Sequence, residues 1–91
     1  MMQTLIPLQT EIPFTENEEK VIKIFLETGF LPYETFATPE KTRATIFGLK
    51  LKFNTFKIEG VNIYSQLKKG YIMPLISRNR LKLQLGLGEA K

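Results

Sequence analysis

Between Thr15 and Gly29 the chain specifies one helix at both ends, and whatever else forms must cover that helix's apolar side. Thr15 and Glu18 have capping-box spacing, in which each side chain satisfies the other's free backbone N–H. Glu16, Glu18 and Glu19 put negative charge at the positive end of the helix dipole. Val21, Ile22, Phe25 and Leu26 line one face, and Gly29 suits the left-handed residue that stops a helix. The spacing predicts a helix over 16–28. Its acidic start needs no functional explanation.

The flanking stretches read differently. Leu5, Ile6, Leu8, Ile12 and Phe14 are interrupted by Pro7 and Pro13, which makes 1–14 an extended arm or edge strand. Phe30 to Phe36, with Pro32, is a second extended piece. Thr38, Pro39 and Glu40 form a helix start, so 38–47 reads as a short helix, although Thr42, Thr45, Ile46 and Phe47 also suit a strand.

From Leu49 the apolar period becomes two. Leu49, Leu51 and Phe53 alternate with Lys50 and Lys52; after Asn54-Thr55 the parity shifts to Phe56 and Ile58. A hairpin centred on Asn54-Thr55 is the simplest reading. Val61, Tyr64 and Leu67, then Lys68, Lys69 and Gly70, suggest a two-turn helix over 61–69, with a strand through Val61 and Ile63 as its competitor. Tyr71 to Ile76 and Leu81 to Leu87 read as strands joined by Ser77-Arg78-Asn79-Arg80, with Leu81, Leu83 and Leu85 in the core. The expectation is a single α+β domain over 1–91: an N-terminal amphipathic helix on a mostly antiparallel sheet of about four strands, one or two further short helices, and a frayed tail at 88–91.

Helices at 16–28, 38–47 and 61–69, followed by a basic hairpin at 71–87, resemble the element order of a winged-helix DNA-binding domain. The resemblance is one of order alone, and the strand-like stretch 49–59 departs from it. Winged-helix-like is the alternative fold.

Catalysis has little material to work with. The chain has no cysteine, histidine or aspartate, which removes thiolates, imidazole and most metal-ligand sets. Ser65 and Ser77 have no histidine to activate them, and Gly86 and Gly88 are not a phosphate loop. A histidine-free ribonuclease built on Tyr64, Tyr71 and Arg78 is the residual enzymatic possibility. The expectation is a non-enzyme without metal or other cofactor. No apolar run approaches the ~20 residues that span a bilayer, and no secretory signal is visible, so a soluble cytoplasmic protein is expected, without a membrane partner.

Charge supplies the functional hint. Residues 1–40 hold two bases and seven acids, a net of −5; residues 41–91 hold eleven bases and two acids, a net of +9. Such polarity suits an anionic partner. Lys50, Lys52 and Lys57 would line one strand face, Lys68 and Lys69 would close a helix, and Arg78, Arg80 and Lys82 would cluster at a hairpin tip. Tyr64 and Tyr71 are candidates for stacking on bases. The expected function is nucleic-acid binding (DNA or RNA) through the phosphate backbone by the C-terminal half. The alternative is a non-catalytic protein-interaction module or inhibitor docking on an acidic protein surface.

Overall fold

The computed structural model describes residues 12–86. The expected arm before residue 12 and the tail at 88–91 lie outside them. In chain order come α1 (Glu16–Thr28), β1 (Phe30–Pro32), a 3₁₀ turn (Tyr33–Thr35), α2 (Pro39–Thr55), β2 (Tyr64–Gln66), β3 (Gly70–Ile72) and α3 (Leu75–Gln84). The fold class is α+β; the described residues form three helices and one antiparallel sheet of three strands, where about four strands are expected. Strand order is β1-β3-β2: β3 pairs Ile72 with both Phe30 and Tyr64, and Gly70 with both Pro32 and Gln66.

Helix α1 follows its sequence signals. Thr15 Oγ1 accepts the Glu18 N–H at 3.1 Å, and Glu18 Oε1 accepts the Thr15 N–H at 2.9 Å. Gly29 closes the helix at φ 79°, its N–H on the Phe25 carbonyl. Val21, Ile22 and Phe25 are fully buried against Leu31, Leu49, Met73, Leu81 and Leu85.

Helix α2 corrects the reading of 49–59. Thr38 caps it and Pro39 opens it as expected, but the helix continues to Thr55, through the segment assigned to strands and a hairpin. Thr42, Ile46, Leu49 and Phe53 make one buried face at helical spacing, while Leu51 is half exposed. The parity shift at Asn54-Thr55 is the helix stop. Ile58 N–H reaches the Phe53 carbonyl and Lys57 N–H the Asn54 carbonyl, a Schellman motif with Lys57 at φ 60° where glycine is usual.

The helix expected over 61–69 is absent. Its place is taken by β2 and a tight turn in which Lys69 N–H bonds the Gln66 carbonyl and Lys68 adopts φ 63°. Gly70 is no helix stop: a Cβ there would lie 2.0 Å from the Leu31 carbonyl oxygen, so β1 approaches only bare backbone.

The hairpin expected over 71–87 is also corrected. Only its start is strand; the proposed tip and second strand form α3. Ser77, Leu81 and Leu85 are buried at intervals of four, and Leu83, assigned to the core, is 73% exposed. Two polar clasps hold this helix. Ser77 Oγ accepts the Asn62 N–H at 2.9 Å, and the Gln84 amide both accepts from Glu59 N–H and donates to the Glu59 carbonyl. The irregular segment before β2 thus finds backbone partners that only a helix at 75–84 provides.

Candidate nucleic-acid interface

The cations singled out in the sequence do not share one face. Lys52 is consumed internally: its Nζ lies 2.6 Å from Glu18 Oε1 and donates to the Pro13 carbonyl at 2.7 Å. Glu18 is buried in turn, its second oxygen so near Gly48 that a Cβ there would come within 2.8 Å. Glu18 therefore caps α1 and clasps α2 to it, a second role that its capping position conceals. Lys57 is exposed, but stands past the end of α2.

Arg78 and Arg80 stand on α3 instead of at a turn. Arg78 lies across Gly29, where a Cβ would meet its Cζ at 3.0 Å, and Arg80 lies across Gly60, where a Cβ would meet its Cδ at 2.5 Å. Lys82 is half-buried on the same helix. Tyr64 is exposed on the edge strand β2, whereas Tyr71 is buried and packs edge-on against Tyr33 at 5.5 Å. Opposite alternation along β2 and β3 puts these two tyrosines on different faces of the sheet, so they form neither one stacking platform nor one catalytic set.

Among the cations singled out, Lys50, Lys57, Lys68 and Lys69 are the lysines that are exposed and outside the ion pairs. Lys50 belongs to the solvent side of α2, where Arg43, Phe47, Lys50, Leu51 and Asn54 recur at helical spacing and are all exposed. Lys68 and Lys69 stand at the tip of the β2–β3 hairpin, beside the exposed Leu67. Tyr33 joins these two elements. Its N–H donates to the Lys69 carbonyl at 3.1 Å, and its carbonyl accepts the Thr42 hydroxyl at 2.7 Å. The hairpin tip and the first turns of α2 are therefore two hydrogen bonds apart through one residue. Arg43, next to Thr42, was missed in the sequence; its signal was the i, i+4, i+7 spacing of Arg43, Phe47 and Lys50 behind the Thr38-Pro39 helix start.

Two acids, Glu34 and Glu40, are exposed near the start of α2, as are the bases Lys41 and Arg43; Lys68 and Lys69 are exposed at the hairpin tip, and Lys50 about three turns farther along α2. Among the described residues the ion pairs are Lys23–Glu27 and Lys52–Glu18, and neither takes a cation from this set. No family model matches the chain, and neither the curated proteins nor the solved structures contain a match to it. Among the described residues no three acidic side chains gather as a metal ion would require, and no helix is long and apolar enough to cross a membrane. The arrangement offers fixed positive charge on two adjoining protrusions, a helix and a hairpin tip, which is the chemistry of binding a polyanion.

Proposed function

We propose that this protein binds nucleic acid through its phosphate backbone, with Arg43 and Lys50 of α2 and Lys68 and Lys69 of the hairpin tip as the contacts. The observation that carries the reading is the Tyr33 bridge, which ties the hairpin tip to the start of α2. The winged-helix order read from the sequence loses its helix at 61–69 and its hairpin at 71–87; an order of helix, strand, helix and hairpin remains, with the hairpin at 64–72, the first strand beside the last, and α3 following. The hairpin at 64–72 stands in the wing's place and α2 in that of the groove-reading helix; ahead of α2, between β1 and α2, there is only the 3₁₀ turn Tyr33–Thr35. A helix presenting Arg43, Phe47, Lys50, Leu51 and Asn54 suits the wide major groove of B-form DNA and not the narrow one of duplex RNA. Burial of Tyr71 removes one stacking platform and weighs against single strands.

Fluorescence anisotropy on labelled random DNA duplexes, single strands and RNA duplexes tests the reading. Each phosphate contact contributes about −0.9 to the slope of log K against log salt, so four contacts give a slope between about −3 and −4 on duplex DNA. Lys68→Ala with Lys69→Ala should flatten that slope by about two units, equally across sequences. Absence of duplex binding even at about 50 mM salt removes the proposal.

A further inference from the structure

We infer that the outer face of α3 is a docking surface for an acidic amphipathic helix of a partner protein. Leu75, Ile76 and Leu83 are 60%, 71% and 73% exposed, an unusual outward share for a helix of ten residues. At 100° per residue these three and Asn79 fall on one side, opposite the buried Ser77, Leu81 and Leu85. The stripe runs for about 12 Å, or two turns, the length over which a docked helix places anchors at i, i+3 or i+4, and i+7.

Charge selects the occupant. Helix α3 contains no acid, and its cations flank the stripe: Arg78 and Lys82 on one side, Arg80 on the other. Both arginine side chains lie against glycines, Arg78 half-buried across Gly29 and Arg80 exposed across Gly60. Arg78 Nε is buried without a hydrogen-bond partner, so that guanidinium is incompletely satisfied within the chain. An apolar strip edged with carboxylates on both sides complements this pattern. Two α3 helices facing each other do not complement it, because their charges are alike. A lipid surface fits less well: Asn79 lies within the stripe, the stripe has no aromatic residue, and an amide is costly among acyl chains but can hydrogen-bond across a helix pair.

The full chain, ¹⁵N-labelled, is titrated with a stapled helical peptide about four turns long, carrying leucines at i, i+3 and i+7 and flanking glutamates. The same peptide with lysines for the glutamates, and vesicles of phosphatidylglycerol, are the comparators. Amide shifts confined to residues 75–84, with affinity at least about tenfold weaker for the lysine peptide, support the inference. Ile76→Asp with Leu83→Asp should lose at least about tenfold in affinity while far-UV circular dichroism and duplex binding stay unchanged. Arg80→Glu should weaken the glutamate peptide and strengthen the lysine peptide. Because duplex binding is read on the same samples, failure here is distinguishable from failure of the nucleic-acid reading. No shift on α3, equal binding of both peptides, vesicle binding in place of peptide binding, or self-association that Leu83→Asp abolishes would each overturn it.

Discussion

Helices α1 and α3 bury their inner faces in the same core, yet one is plain in the sequence and the other reads as a strand. Helix α1 has a capping box, three early acids and a left-handed glycine stop, and its exposed side is polar. Helix α3 begins after Pro74 with no side-chain cap, and its solvent side carries Leu75, Ile76 and Leu83. Amphipathic period is a contrast between two faces, and an apolar outer face erases it. Local signals sufficed for α1. For α3 the deciding bonds come from far along the chain, Asn62 onto Ser77 and Glu59 onto Gln84.

The sharpest way to break this comparison is to truncate leucines two residues apart. Leu81→Ala should cost about 2–5 kcal/mol in urea unfolding, as a fully buried leucine does, whereas Leu83→Ala should stay within about 0.5 kcal/mol. Equal losses would restore the strand and dismiss the helix.

Next in size is the clasp between α1 and α2. Lys52→Ala leaves the buried Glu18 carboxylate without its cation and should cost about 1–3 kcal/mol, while nucleic-acid affinity and salt slope remain unchanged. Lys23→Ala removes the exposed pair with Glu27 and should cost no more than about 0.5 kcal/mol. A Lys52 variant of normal stability but flattened salt slope would put that lysine back among the phosphate contacts.

Thr15→Ala tests the local side of the comparison. It should lose about 1 kcal/mol through the missing cap, a cost with no counterpart at the start of α3. One further effect has the opposite sign. Lys57→Gly relieves a left-handed residue at the end of α2 and should raise stability by about 0.5–1 kcal/mol, read as a higher urea midpoint at unchanged m-value.

The candidate interface was legible only in part. The positive balance after residue 40 was visible, as was the helix start at Thr38-Pro39. Which lysines stay free was not, because Lys50 and Lys52 differ only in what stands opposite them: solvent for one, Glu18 for the other. Tyr64 and Tyr71 have the same chemistry, and only the pairing of β2 with β3 and the ring of Tyr33 separate exposed from buried.

By itself the sequence determined α1 with both its ends, where α2 begins, the mixed α+β class and the sign of the C-terminal charge. Each rests on contacts within a few residues or on composition. Tertiary structure alone decided that 49–55 and 75–84 are helices, that Lys52 is an internal cation, and that the hairpin tip meets α2 through Tyr33. The reason lies in the periods themselves. Leu49 with Phe53, and Leu81 with Leu85, are four apart and satisfy a period of two and a period of 3.6 alike. Leu51 and Leu83 between them distinguish the two, and their exposure depends on what the rest of the chain lays over that face.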